Sequence, residues 1–348
     1  MEADLRQAPS HLLERWKACV ERPEWIIIDE VQKVPALLDV VHYAIEKEQV
    51  KFALTGSSAR KLRRGASNLL AGRAFVFSMH PLTQYELGKD FSLETHLQWG
   101  SLPKVMTLSS ADRNRFLRTY TLTYLKEEIQ TEQLVRKIDA FHRFLPVAAQ
   151  CSGEILNYAK IAREANVDVK SVERYFEILS DTLIGFRLDA FHRSVRKRQM
   201  LKPKFYLFDL GVTRALRGIA DISVRVGSSE FGRLFEQWVI LECFRYNDYL
   251  ERNFQFSYLR TKDDVEIDLI VERPGKIPLL IVIKSTDRVM APDLQGLKTI
   301  SKDFGPCERF LFCREPVARM SDEVMIMSWD EGLKHIFALP FNPMGGIS

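Results

Sequence analysis

The chain has 348 residues, 46% hydrophobic and 28% charged, with a formal net charge of +4; it can bury a core spread over about two or three domains, and it is neither a disordered nor a fibrous sequence. Its five cysteines, Cys19, Cys151, Cys243, Cys307 and Cys313, are odd in number and include no CxxC pair, which argues against a disulfide framework and a zinc ribbon. No apolar run approaches the length of a membrane span, and the opening MEADLRQAPSHLLERW lacks a signal-like apolar core, so the expected setting is the reducing cytoplasm, with no membrane partner.

Leu12, Leu13, Trp16 and Val20 recur at helical spacing behind Pro9 and Ser10, predicting a short helix. Trp25 to Ile28 reads as a fully buried strand, Pro35 to Glu46 as a helix with Leu38, Val41 and Ile45 on one face, and Val50 to Leu54 as a second buried strand. Strand, helix and strand with short connections imply a parallel pair. A third strand is expected at Ala74 to Met79, then an irregular stretch from Pro81 to Leu108 punctuated by Gly88, Gly100 and Pro103, then a long helix from Ala111 to Arg136.

Further on, Ile161, Ala162 and Ala165 form one short helical face. Asn166 to Asp168 form a turn, and Val172, Tyr175, Phe176 and Leu179 a second helix. An alternating strand from Leu183 to Ala190 completes the order of a winged helix-turn-helix. The last region offers a helix at Phe231 to Tyr246, strands at Phe256 to Arg260, Val265 to Val271 and Pro278 to Ile283, a helix near Leu294 to Phe304 and a strand at Arg309 to Phe312. This is a second α/β pattern.

The chemistry starts at WIIIDEVQKVP, where four apolar residues deliver Asp29 and Glu30 to the carboxyl end of a strand. In a phosphate-transfer site such an Asp holds magnesium, usually through water, and the adjacent Glu polarises the attacking water. A strand ending in a solvated acidic turn is the plainer alternative. The next strand, in KFALTGSSARKL, also ends in small polar residues, Thr55, Gly56, Ser57 and Ser58, where a group sensing the γ-phosphate would sit, and Arg73 in LLAGR is a candidate charge partner.

IIIDEVQKVP, LTGSSARKL, LLAGR, PLTQYELG, YLKEEI, ILNYAKIAREANV, YFEILSDTLIGFRL, KPKFYLFDLGVTRAL, FGRLFEQWVILE, EIDLIVE and IKSTDRV follow one another along nearly the whole chain. In this order they resemble a family of bacterial and archaeal proteins that join an AAA-type P-loop ATPase to a winged helix and a restriction-endonuclease-like C-terminal domain of unknown function. The resemblance implies an α/β architecture: a truncated ATPase core over 1–90, a helical lid over 91–138, a winged-helix domain over 139–222, a restriction-endonuclease-like domain over 223–335 and a tail over 336–348. It implies ATP and Mg²⁺ as cofactors, with Asp29 and Glu30 as the Walker B pair, Asp29 as the metal holder, Ser57 as the sensor and Arg73 as a phosphate-facing or inter-subunit arginine. Oligomerisation through the ATPase-like part and protein partners are further implications.

A P-loop needs G-x-x-x-x-G-K-S/T, because glycine amides wrap the phosphates and the lysine neutralises them. None of the 17 glycines begins such a run. The expectation is therefore an ATPase homologue impaired in nucleotide binding and hydrolysis.

In the last region Glu236, Asp268 and Lys284 are candidates for a nuclease-type magnesium site, yet the position two before Lys284 is Val282 where that motif requires a carboxylate. This disfavours a Mg²⁺-dependent DNA nuclease and describes a degenerate site. From Arg187 to Lys204 seven basic residues stand against one acid, Asp189. Following a helix-turn-helix, this run suggests DNA as a partner, with Lys170 and Arg174 reaching a groove and Arg193, Arg196, Lys197 and Arg198 gripping phosphates. A DNA-binding or scaffold protein with degenerate ATPase and nuclease parts is the rival reading.

Overall fold

The computed structural model describes residues 1–56, 73–124, 138–194 and 201–339. They fall into two compact units, 1–76 with 177–184, and 77–176 with 185 onward. The class is mixed α/β.

In the first unit, helices Glu2–Gln7 and His11–Ala18 precede strand β1 (Trp25–Ile28), helix Leu37–Glu48 and strand β2 (Lys51–Leu54). The strands pair in parallel, with Trp25 beside Lys51 and Ile28 beside Leu54. A crossover helix is what a parallel pair requires, and this one turns Leu37, Leu38 and Val41 into a cluster with Leu5, Val31 and Val34. It ends where Gln49 enters the left-handed region. β1 is not buried on both faces as its apolar run suggests: Ile26 and Ile28 are half-buried while Trp25 and Ile27 are exposed. Apolar content set the strand, but only one of its faces is packed. The strand expected at Ala74 to Met79 is absent, and Phe75, Val76, Phe77 and Met79 are exposed. Strand propensity is not enough when no neighbouring strand takes up the backbone hydrogen bonds.

The second unit is built on an eight-stranded sheet. Its strands are β3 (Gly185–Ala190), β4 (Lys204–Leu207), β5 (Gln255–Arg260), β6 (Glu266–Glu272), β7 (Leu279–Ile283), β8 (Glu308–Cys313), β9 (Arg319–Ser321) and β10 (Val324–Ser328). Their spatial order is β4-β3-β5-β6-β7-β8-β10-β9. Helix Ser229–Tyr249, capped where Ser228 Oγ accepts the Phe231 N–H, lays Phe235, Trp238 and Val239 on one face, with Leu333 and Phe337 of helix Trp329–Phe337 in the same cluster. Helix Ala291–Phe304 covers the other face with Leu294, Leu297 and Ile300. Leu93 and Leu97 of helix Leu93–Trp99, part of the stretch expected to be irregular, join the first of these clusters.

The helix-turn-helix pattern is present as helices Tyr158–Ala165 and Val169–Asp181, with Asn166 left-handed at the turn. The antiparallel β3–β4 pair that follows is not a free hairpin. It extends the large sheet through Asp189 and Ala190 beside Ser257 and Tyr258 of β5. Gly185 is needed at its start, because a β-carbon there would lie 2.3 Å from the Phe205 ring and 2.6 Å from the Tyr206 carbonyl oxygen.

Candidate functional site

The register of β1 and β2 places the residue after each strand side by side, so Asp29 faces Thr55. The Thr55 hydroxyl donates to Asp29 Oδ1 and accepts the Glu30 N–H at 3.1 Å. The Thr55 N–H donates to the Ile28 carbonyl at 2.9 Å, and its carbonyl accepts the Val31 N–H at 3.0 Å. Glu30 is held at φ 55°, ψ 50°, a left-handed conformation that is costly for a residue with a β-carbon. The four bonds at Thr55 offset that cost and fix the turn that lifts the acids off the strand. Asp29 is exposed and Glu30 half-buried, with the Glu30 carboxylate accepting from Gln32 Nε2. An exposed carboxylate at the carboxyl end of parallel strands suits a water-bridged magnesium ion.

The hydroxyl that meets the acids in the structure is therefore that of Thr55. Ser57 lies outside the described residues. Arg73, expected to face the phosphates or a neighbouring subunit, forms an ion pair with Glu46 of helix Leu37–Glu48. The signal for Thr55 was available in the parallel register, two residues before the serine that the resemblance points to.

In the second unit the structure gathers acids around a lysine that the nuclease pattern does not include. Lys204, at the start of β4, is 4% exposed, and its Nζ lies 3.3 Å from Glu236 Oε1 and 2.5 Å from Glu266 Oε1. The Tyr258 ring centroid is 5.5 Å away on another side. Burial works against the ammonium charge, but Tyr206, then Glu236, Asp268 and Glu266, outweigh it and hold Lys204 far above the usual lysine range. Asp268 is brought to the same group by a bulge. Ser257 pairs with Ile270 but Leu259 with Ile267, so β6 carries one more residue than β5 there. Its Oδ2 accepts the Ile283 N–H at 2.7 Å, and burial, then Glu236, push its carboxyl up to about 7. Glu236 is raised for the same first cause, with Lys204 opposing.

Glu236 and Asp268 thus share one neighbourhood; Lys284 and position 282 are not part of the group. Lys284 is exposed and its N–H donates to the Phe312 carbonyl at 2.9 Å. Val282 packs with Val289, Leu294 and Leu297 under helix Ala291–Phe304, the layer opposite the helix that carries Glu236. Among the described residues no group of three or more His, Cys, Asp or Glu side chains is arranged to hold a metal ion. Lys204 closes the basic run in the sequence, yet it is a core residue. The clue was the strand EIDLIVE, whose Glu266 and Asp268 stand in an apolar setting that demands a buried cation.

Of the candidate nucleic-acid contacts, Lys170 and Arg174 are exposed on helix Val169–Asp181. Arg193 Nη2 donates to the Phe304 carbonyl at 2.6 Å, at the carboxyl end of helix Ala291–Phe304, where a cation suits the helix dipole. Arg196, Lys197 and Arg198 lie outside the described residues.

Comparison with known proteins divides the chain in three. Residues 2–88 match the family described as an AAA domain. Residues 90–223 and 231–329 match two families described as domains of unknown function, DUF8612 and DUF4143. An uncharacterized protein of Mycobacterium tuberculosis and one of Mycobacterium bovis are each 29% identical over 265 residues, covering 75% of this chain and 58% of theirs. The chain spans little more than half the length of these relatives. Its N-terminal part is similar to AAA-type ATPases, a class that uses a nucleotide and Mg²⁺, and no described helix is long and apolar enough to cross a membrane.

Proposed function

We propose that residues 1–90 form the metal-holding half of an AAA-type ATP site, and that the 348-residue chain by itself is impaired in binding and hydrolysing ATP. The observation that carries this is the clamp of Thr55 on the turn Asp29–Glu30 at the ends of two parallel strands. Asp29 is the residue to hold magnesium through water, and Glu30 the residue to take a proton from an attacking water. The magnesium would supply neutralisation of phosphate charge; the chain's own contribution is a carboxylate fixed in direction and open to solvent. Binding the phosphates requires backbone amides and a lysine in a glycine-rich loop, and the 348 residues contain no such run.

The test is Mg²⁺-dependent ATP turnover by the chain beside an Asp29→Asn control. Equal background rates are expected, and calorimetry should detect no ATP binding at micromolar nucleotide. Turnover well above the control overturns the reading.

A second reading, a DNA-binding or scaffold protein, draws on the exposed Lys170 and Arg174 and on the lysine among the acids of the second unit. Its signature is a DNA complex whose affinity falls steeply with added salt. A flat salt response, or no complex at low salt, removes it.

A further inference from the structure

Three carboxylates, Glu236, Glu266 and Asp268, share one buried neighbourhood with one ammonium. They come from helix Ser229–Tyr249 and from the bulged strand β6, whereas the ammonium comes from β4, across the boundary between the two matched regions 90–223 and 231–329. β4 is fixed independently: Lys204 lies beside Leu188 of β3 and bridges to Ile155. Tyr206, two residues on and so on the same face of β4, is fully buried. Its hydroxyl has no hydrogen-bond partner and lies in the field of the same lysine and acids. A buried phenol with no hydrogen-bond partner beside three carboxylates that share one ammonium marks a polar chamber built around a cation.

We infer that Glu236, Glu266 and Asp268 form a cation pocket whose occupant is the chain's own primary ammonium, Lys204. Seated there, Lys204 fastens the β3–β4 pair to the C-terminal sheet and denies the acids to any dissolved cation. The pocket selects for an alkylammonium: the Tyr258 ring centroid lies 5.5 Å from the head, Glu236 Oε1 accepts a hydrogen bond from it at 3.3 Å, and Glu266 Oε1 forms an ion pair with it at 2.5 Å. The lysine in place of a divalent ion also accounts for nuclease-like acids that, among the described residues, form no group arranged to hold a metal ion.

The experiment uses the full 348-residue protein. Lys204→Ala retains the β-carbon, so the excised part corresponds to n-propylammonium. The variant should melt roughly 5–10 °C below the parent. Added n-propylammonium chloride should raise its midpoint in a saturable way while leaving the parent unmoved, and sodium or tetramethylammonium chloride at equal ionic strength should not reproduce the effect. Should Lys204→Ala fail to fold, Glu266→Gln serves instead: it removes one of the two ion pairs, and hydrogen exchange of the Phe205, Tyr206 and Leu207 amides should quicken several-fold. The inference is overturned by a Lys204→Ala midpoint equal to the parent's, by propylammonium acting alike on both proteins, by exchange unchanged in Glu266→Gln, or by Mn²⁺ binding to the parent that Glu266→Gln abolishes.

Discussion

The two acidic groups of this chain stand in opposite electrostatic situations. Asp29 projects from the end of a strand into solvent beside the half-buried Glu30, the turn held by a threonine hydroxyl and backbone amides, with water free to screen the Asp29 charge. Glu236, Glu266 and Asp268 sit on and around a buried strand, and an internal lysine answers them. Carboxylates at strand ends look alike in a sequence. What separates them is the supply of positive charge: the first group needs it from outside the fold, while the second has it built in. Exposed acids are cheap to keep and ready for a ligand, whereas buried acids stabilise the fold only while their partner stays in place.

The hardest test of that contrast is Val282→Glu. A nuclease motif would gain its missing ligand, but Val282 is 5% exposed in the apolar cluster beneath helix Ala291–Phe304. The new carboxylate would be buried away from Lys204, among valine and leucine side chains. A destabilisation of about 4 kcal/mol or more is expected, since burying an unpaired charge is among the few mechanisms that reach that range. Urea denaturation measures it. A variant as stable as the parent that nicks DNA with Mg²⁺ would show that the second group is open to metal after all.

Next in size is Lys204→Met, which keeps the length of the stem and removes the charge. Breaking a buried ion pair by deleting one partner costs about 3–5 kcal/mol. The lower end is expected here, because Glu236 and Glu266 keep side-chain exposures of 27% and 24% and can recover some hydration. Asp29→Asn, by contrast, should leave the unfolding midpoint within about 0.5 kcal/mol of the parent. Equal costs at the two positions would dissolve the distinction between an open and a closed acid site.

Much of this was legible from the residues. β1 and β2 follow from short apolar runs, although both are only partly buried, and the helices Tyr158–Ala165 and Val169–Asp181 from periodicity, because each presents an apolar face with a clear repeat. Asp29 and Glu30 were readable because a strand-end acid depends only on local order. The Ala74 to Met79 segment was misread because a strand is a relation between two segments, and propensity describes only one. Lys204 was hidden for a related reason. It follows Arg193, Lys202 and their neighbours in a run that looks solvated, and only the pairing of β4 with β3 carries its side chain among acids far along the chain. The spacing rule could not show that Val282 lies away from Asp268, because the bulge at Asp268 breaks the simple alternation of faces on which that rule depends.

A similarly small effect belongs to the hydroxyl that orders the open site. Thr55→Val keeps the β-branched shape and removes one acceptor, used by the Glu30 N–H, and one donor, used by Asp29. In a buried site the loss of both would strand polar atoms and cost several kcal/mol. Thr55 and Asp29 are exposed, so water replaces both bonds and the expected cost is below about 1 kcal/mol. The structural consequence should exceed the energetic one: Glu30 is left-handed and depends on Thr55 for its N–H bond, so the Glu30 and Val31 amides should exchange faster with solvent than in the parent. Exchange measured by NMR, with the urea midpoint in parallel, separates the two quantities. A loss of 2 kcal/mol or more would mean that water does not reach this turn as freely as the exposure of Asp29 implies, and the open site would then resemble the closed one more than its geometry shows.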